Sequence, residues 1–375
     1  MAENKDKKVL NVPPLRFPEF SGEWKKCVIQ DYGDVITGNT PPTSNEEYYS
    51  NGSYLWASPA DLGMNKKIND TKTKLSLLGF KKTRVIPKGG ILVTCIGSTI
   101  GKMGMAADAM SSNQQINSIV VNDKNNNDFV YYAVSRAFPR YLSEVGIQAV
   151  PILSKSNFKK LPNYTTSREE QEKIGYFFNL LDERIATQNK IIEKLQSLIK
   201  GIAARLTQSE NPNIRLCDCL ECHSSTLQEN CVSVTGSYPV YGATGLIGYT
   251  DSYAYNGESI LIVKDGSGVG SLSYVNDRFS VIGTLNYLTI KENHSTLYLY
   301  YALMAFNFTP YITGMAIPHI YFKDYGKAKL FCPSIERQIR IASLLYNIEQ
   351  KLVVEQKLIV SLSAQKLYLL RMLFI

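Results

Sequence analysis

The residues of this chain that could do chemistry are few. Gly97-Ser98-Thr99-Ile100-Gly101-Lys102 has the look of a phosphate-cradling loop, but only three residues separate the glycines, and Met103 stands where a Mg²⁺-binding hydroxyl belongs. Gly266-Ser267-Gly268-Val269-Gly270 is followed by a strand pattern over 271–275, not by the helix that a nucleotide-binding turn would open. Cys217, Cys219, Cys222 and Cys231, with His223, offer one Cys-x2-Cys spacing. A structural zinc site needs a second clear pair and Cys231 stands alone, so the cluster reads as small buried residues and no metal is expected. His223, His294 and His319 join no Ser/His/Asp or HExxH arrangement, and no pair of acids with a lysine marks a metal nuclease. Pro162-Asn163-Tyr164 echoes the Asn-Pro-Pro-Tyr of amino-methyltransferases with the order wrong. The expectation is a chain without an active site or bound cofactor, whose glycine turns let a backbone approach something closely.

The two turns are also copies of one another. Residues 90–101 read GILVTCIGSTIG and residues 259–270 read SILIVKDGSGVG, an offset of 169. Val150-Pro151-Ile152 recurs as Ile317-Pro318-His319, and Gln171-Glu172-Lys173-Ile174 as Gln338-Ile339-Arg340-Ile341, both offset by 167. Solenoid repeats run about 20–50 residues, so this is a whole domain with its tail, duplicated. A chain built this way has pseudo-twofold symmetry and can address something bipartite.

The elements that must position these turns follow from periodicity. Residues 1–12 read as disordered. The first module, 13–165, has short strands at 54–56, 84–86, 90–96 and 118–121, and a tyrosine-rich helix at 129–145 broken or kinked by Pro139. At Ser167-Arg168-Glu169-Glu170 a capping box opens a proline-free stretch, the central helix of 166–210. Phe178, Leu181, Ile185, Gln188, Ile192, Leu195, Ile199, Ile202 and Leu206 follow alternating spacings of three and four, which is a heptad seam. The second module, 211–332, repeats the strand at 259–263 and the helix at 297–308; if 216–220 is a strand, Cys217 and Cys219 share a face. The C-terminal helix, 333–375, repeats the seam at Leu345, Ile348, Leu352, Glu355, Ile359, Leu362, Lys366, Leu369 and Leu373, with Glu355 where Gln188 stood. An isolated amphipathic helix of this length must bury its stripe, and the economical partner is the other copy, antiparallel; the alternative is pairing with another chain. The fold class is α+β: two tandem modules and two long helices in an antiparallel coiled coil.

Composition sets the outer limits. With 375 residues and 44% apolar content the chain can bury real cores. It has no run of 18 apolar residues and opens MAENKDKKVLNVPP, without a signal-peptide core, so a cytoplasmic protein with no membrane partner is expected, in which disulfides are disfavoured. The net charge of +8, from 41 Lys and Arg against 33 Asp and Glu, permits a polyanionic partner without requiring one. The 24 tyrosines suit an interface.

Gly38-Asn39-Thr40-Pro41, Tyr48-Tyr49, Tyr54-Leu55-Trp56 and Asp61-Leu62 in the first module, and Tyr238-Pro239-Val240-Tyr241-Gly242, Ile247-Gly248-Tyr249 and Ser259-Ile260-Leu261-Ile262 in the second, are joined by the opening Leu15-Arg16-Phe17-Pro18-Glu19-Phe20. Each module then ends in Gln-x-x-Ile and a long heptad helix. Over nearly its whole length the chain resembles the specificity subunit of a type I restriction–modification enzyme. The resemblance implies two target-recognition domains, each reading half of a split double-stranded DNA sequence, separated by the coiled coil. It implies catalysis elsewhere: modification (methyltransferase) subunits, two of them, using S-adenosylmethionine on adenine, and restriction (nuclease/translocase) subunits using ATP and Mg²⁺.

On that resemblance, side chains with donors and acceptors are the candidates for reading DNA, while lysines on phosphates set position. In the first module these are Thr40, Ser58, Ser98, Thr99, Lys102, Gln114 and Gln115, and in the second Tyr241, Thr244, Lys264, Ser267, Thr284, His319 and Lys323. Gln114 and Gln115 lie in an amide-rich run, and glutamine can bond adenine bidentately. Residues matched by the repeat, such as Asn117 and Asn286, are expected to be structural; divergent pairs, Ile96/Asp265, Cys95/Lys264 and Gln115/Thr284, are expected to carry specificity. The helices are expected to set the gap between half-sites. The rival functions are a single-chain restriction–methylation enzyme, which lacks its motifs here, and a two-module scaffold that binds no DNA.

Overall fold

The computed structural model describes residues 10–144 and 152–375. The disorder expected of residues 1–12 and the Val150-Pro151 part of the repeat lie wholly or largely outside the described residues. The chain divides into two compact units, residues 1–186 with 360–375, and residues 187–359. Each unit therefore holds one module and the adjoining lengths of both long helices.

In the first unit a five-stranded sheet has the order Gly33–Thr37, Ile116–Val121, Ile91–Thr94, Met103–Ala106, Lys67–Ile68. Ile91–Thr94 is buried on both faces, as its unbroken apolar run requires. Three further short strands, Thr73–Leu75, Tyr54–Ala57 and Ser111–Ser112, form a side sheet. The helix Asn127–Glu144 runs on past Pro139 and supplies Phe129, Tyr132, Phe138 and Tyr141 to the core. Lys25–Val28 pairs with Pro162–Thr165 and so closes the module on itself.

The second unit holds a six-stranded sheet of order Leu220–Ser224, Leu285–Ile290, Tyr255–Val263, Leu272–Val281, Tyr238–Gly242, Gly245–Thr250. Its central pairings reproduce the first module's register. Ile91 faces Met105 and Ile119, and Ile260 faces Tyr274 and Leu288, every position displaced by 169. Gly33↔Val121 is matched by Leu220↔Ile290, and Cys27↔Asn163 by Ile214↔Leu330. The matched asparagines have matched work: Asn117 accepts from the Thr37 hydroxyl (2.6 Å) and Asn286 from that of Ser224 (2.9 Å). The sheets differ in what separates the first strand from the matched central pairing at Ile91 and Ile260, 53 residues at 38–90 against 35 at 225–259.

Three expected elements take another form. Residues 84–86 are not a strand; only Ile86 forms a bridge, to Met110, and Pro87 follows it. Residues 216–220 are not a strand either: Leu216–Cys219 is one helical turn that buries Leu216 and Cys219 together, and the strand begins at Leu220. The helix expected over 297–308 is Thr296–Met304, followed by a turn.

The central helix, Arg168–Thr207, spans 40 residues, about 60 Å at 1.5 Å per residue. Its start is half of the expected capping box. The Ser167 hydroxyl accepts the Glu170 N–H (3.3 Å), but the Glu170 carboxylate takes a bidentate contact from Arg16 (2.7 Å twice) and the Thr166 hydroxyl. The C-terminal helix is Ile335–Met372. Within the first unit Asp182 pairs with Lys366, and Phe178 packs on Phe374. Within the second, Gln188 donates to the Glu355 carboxylate, and Ile199 and Ala203 share a core with Ile341 and Leu345. Residue numbers on one helix fall as those on the other rise, so the pairing is antiparallel. The seam positions Phe178, Leu181, Ile185, Ile192, Leu195, Ile199, Leu345, Ile348, Leu352, Ile359, Leu362 and Leu369 are all buried or half-buried, and the two polar seam entries meet each other.

Candidate nucleic-acid interface

In each module the central strand ends in the duplicated glycine turn, and the turn's frame is the same in both. Gly97 and Gly266 have φ of 98° and 97°, and Gly101 and Gly270 of 90° and 85°, a region open to glycine. Gly101 N–H bonds the Thr94 carbonyl and Gly270 N–H that of Val263. Ser271 continues into the strand Leu272–Val281 and Lys102 into Met103–Ala106. No helix opens at either turn, so neither has the dipole and free N–H groups of a nucleotide-phosphate site.

The seven candidates of the first module come together at this end of the sheet. Cys95 N–H bonds the Gln115 carbonyl, and a Cβ on Gly97 would lie 3.6 Å from Gln115 Nε2. Thr40 donates its hydroxyl proton to Gln114 Oε1 (2.6 Å), and Asn113 Nδ2 donates to Gln115 Oε1 (3.0 Å). Both glutamines are thus held before any ligand arrives. Ser98, Lys102 and Gln114 are exposed, and Thr99 half-buried. Ser58 lies beside them through the Asn113 N–H bond to Ala57, but its hydroxyl is engaged by Asp61 (2.7 Å) in a local cap.

The second module assembles its candidates in the same frame. Lys264 N–H bonds the Thr284 carbonyl, Ile320 N–H bonds that of Lys264, and Asp265 bridges His319. Tyr241 joins through its carbonyl bond to Ile282 N–H, and Thr244 sits exposed in the adjoining hairpin turn. Ser267 is exposed, and Lys323 Nζ lies 5.1 Å over the Tyr321 ring. The Thr284 hydroxyl is buried without a partner. The three divergent pairs occupy equivalent backbone places: the Cys95 and Lys264 N–H groups bond the Gln115 and Thr284 carbonyls, and Ile96 and Asp265 bridge Ile152 and His319. Cys95 is 1% exposed, and burial pushes its thiol up to about 12, so it packs inside the module and offers nothing to a ligand.

Sequence reasoning missed two groups. Lys81, Lys82 and Arg84 are brought to the Thr40–Gln114 pair by Asn39, which accepts from Arg84 N–H and donates to the Lys82 carbonyl (2.9 Å each). Their signal was the Lys-Lys-x-Arg spacing itself. The other group anchors each module to its helix. Tyr132 donates to Asp182 (2.6 Å) and Tyr301, its repeat counterpart, to Glu349 (2.7 Å), and burial with the nearby carboxylate raises both phenols. In the first unit Lys66 joins in, bonded to Asp128 (2.6 Å) and lying 4.1 Å over the Tyr132 ring. Gln171 and Gln338 are 2% exposed and act alike: each accepts an N–H from the module, Asn126 or Ser295, and donates to a carbonyl before its own helix, Thr166 or Pro333.

Cys217, Cys222 and Cys231 are at least partly exposed, and among the described residues no group of three or more His, Cys, Asp or Glu could hold a metal ion. No helix, among the same residues, is long and apolar enough to cross a membrane.

The duplicated α+β frame, with polar side chains gathered at one end of each sheet, defines a protein built from two copies of one module. The family described as the type I restriction modification DNA specificity domain matches residues 21–197 and again 213–364. The HindI specificity subunit of Haemophilus influenzae is 29% identical over 47% of this chain and 40% of its own length. The MjaIX specificity subunit of Methanocaldococcus jannaschii is 30% identical over 46% of this chain and 42% of its own. The chain thus matches less than half the length of these two curated relatives. The EcoprrI specificity subunit of Escherichia coli is 22% identical over 83% of this chain and 84% of its own. In fold, the type I system S subunit from M. genitalium superposes with a TM-score of 0.68 at 19% identity, covering 97% of this chain and 99% of that one. A chain from a type I R-M system studied for complex assembly and conformational transition gives 0.57 at 14%, covering 92% and 96%. The chain belongs to the type I restriction–modification DNA specificity family and carries the family's domain twice.

Proposed function

We propose that this chain is the non-catalytic, cytoplasmic subunit that chooses the DNA target of a type I restriction–modification complex. Each module reads one half of a split sequence, and the chain brings modification and restriction subunits to it. One observation carries the reading: two sheets that share the register of their central strands present turns of matching backbone but different side chains. Such a pair can hold two half-sites in related ways while reading different bases. Gln114 and Gln115, held by Thr40 and Asn113, can offer an amide to adenine N6 and N7; Thr284, Ser267 and His319 stand in the corresponding region of the second module.

The partner subunits, two of them methyltransferases, supply the chemistry with S-adenosylmethionine, ATP and Mg²⁺. This chain's turns continue into strands and make poor nucleotide sites. Ile191, Leu198, Leu344, Val354 and Leu358 are exposed on the long helices, and apolar surface of that kind suits partner subunits. The test is long-read methylation sequencing of a host expressing this chain with a cognate modification subunit, against the host lacking this chain. A new split adenine-methylated motif with a fixed gap is expected. Assembly of the complex with no new motif would move the assignment to a scaffold that binds no DNA.

A further inference from the structure

We propose that the two modules grip DNA by different physical means: the first anchors the duplex through its phosphates, and the second reads its half-site mainly with uncharged groups. The inference rests on the DNA-recognition reading above and says which module supplies the electrostatic affinity.

The charge of the chain is unevenly divided. Residues 13–165 carry 18 Lys and Arg against 12 Asp and Glu, whereas residues 211–332 carry 7 against 9. The contrast is sharpest in the segments inserted between the first strand and the matched central pairing, where the two modules differ most. Residues 38–90 hold 8 basic and 4 acidic side chains, and residues 225–259 hold no basic residue and 3 acidic ones. Phosphate neutralisation by Lys and Arg is the main source of sequence-independent affinity for DNA, and the second insert has none to offer.

Position matters as much as count. Lys81, Lys82 and Arg84 are all exposed, and Asn39 ties their backbone to the Thr40–Gln114 pair. The Arg84 guanidinium also bonds the Thr37 carbonyl (2.8 Å), which fixes it at the same end of the sheet. Lys102 is exposed at the foot of the glycine turn, its aliphatic stem lying over Gly63. The second module has Ser271 at the place of Lys102. In the second module two of the available cations lie over aromatic rings, Arg278 5.5 Å from Tyr253 and Lys323 5.1 Å from Tyr321. The second insert is instead rich in tyrosine, at Tyr238, Tyr241, Tyr249, Tyr253 and Tyr255. Tyrosine gives contact area and a hydroxyl without counterion release.

Fluorescence anisotropy tests this with the full-length chain and a labelled mixed-sequence duplex, over roughly 50–300 mM salt. Each lost phosphate contact removes about 0.9 from the slope of log affinity against log salt. The triple variant K81Q/K82Q/K102Q is expected to lower the slope by about two to three, and the matched triple K264Q/R278Q/K323Q by less than about one. Circular dichroism checks that both retain their fold; should either triple unfold, its single substitutions are compared instead. Equal slope losses, or a larger loss from the second module, would overturn the inference. A wild-type chain that binds no duplex at any salt would sink the DNA reading itself, a separate outcome.

Discussion

The buried glutamines at the head of each long helix provide a demanding test of the fold. The Gln171 carboxamide accepts from Asn126 N–H (2.9 Å) and donates to the Thr166 carbonyl (2.9 Å), with the Thr165 hydroxyl and Asn125 at 3.0 and 3.2 Å. In Gln171→Ala the Asn126 N–H and Thr166 carbonyl lose their partner inside the protein. An unpaired buried group costs about 1–3 kcal/mol, so two of them predict a loss of about 3–4 kcal/mol. Both tryptophans of the chain, Trp24 and Trp56, are buried in the first unit, so their fluorescence reports that unit alone. With a urea m-value of about 2–3 kcal/mol/M, the fluorescence midpoint falls by about 1–2 M. Gln338→Ala removes the equivalent bonds to Ser295 and Pro333 (2.9 and 2.8 Å) in the second unit. It leaves the tryptophan midpoint in place and lowers the later part of the far-ultraviolet circular dichroism transition. Gln171→Met, which restores volume without the bonds, recovers little. A fluorescence midpoint unmoved by Gln171→Ala, or moved as far by Gln338→Ala, would refute the assignment of one glutamine to each unit.

Two further outcomes follow from the turns and the helices. A Cβ on Gly101 would lie 2.8 Å from the Phe138 ring at a φ of 90°, whereas one on Gly266 meets nothing within 4 Å; Gly266→Ala therefore costs only the left-handed backbone term of about 1–2 kcal/mol, and Gly101→Ala more, a difference that thermal unfolding reads as a melting point lower by several degrees. Equal melting points would mean that the turn does not rest on Phe138 as described. Inserting one heptad in each long helix adds about 10 Å of rise and is expected to lengthen the unspecified gap by about three base pairs with both half-sites unchanged; altered half-site bases in methylation mapping would sink the role of the helices as the spacer.

What the sequence made legible is what repeats locally. The alternation of three and four from Phe178 to Leu206 needed no tertiary knowledge, and the burial of Leu345 and Leu362 follows the same count. The polar entries Gln188 and Glu355 sat at one heptad position in both copies, so their meeting was implicit once the helices paired. Non-local choices were hidden. Lys25–Val28 is too short to announce a strand, and its partner Pro162–Thr165 lies at the far end of the module. The β-branched look of residues 84–86 was outweighed by the needs of their neighbours: Pro87 has no N–H to give to a ladder, and Arg84 turns back to Asn39 and Thr37.

The same division explains how much of the interface could be read in advance. Residues shared by the two copies hold the frame: Asn117 and Asn286 are buried, and each accepts a hydrogen bond from a hydroxyl on the neighbouring strand. Residues that differ sit on that frame without supporting it, as Gln115 and Thr284 do, their carbonyls accepting the equivalent N–H from Cys95 and Lys264 whatever the side chain. Under the proposed function, a duplicated backbone with differing side chains would let one half-site change without disturbing the other. The basic residues obey neither rule. Lys81, Lys82 and Arg84 lie in an insert the second copy replaces with a shorter one, so comparison of the repeats could not find them. Only the bonds that Asn39 makes to Lys82 and Arg84, within the insert, bring their charge to the turn end of the sheet.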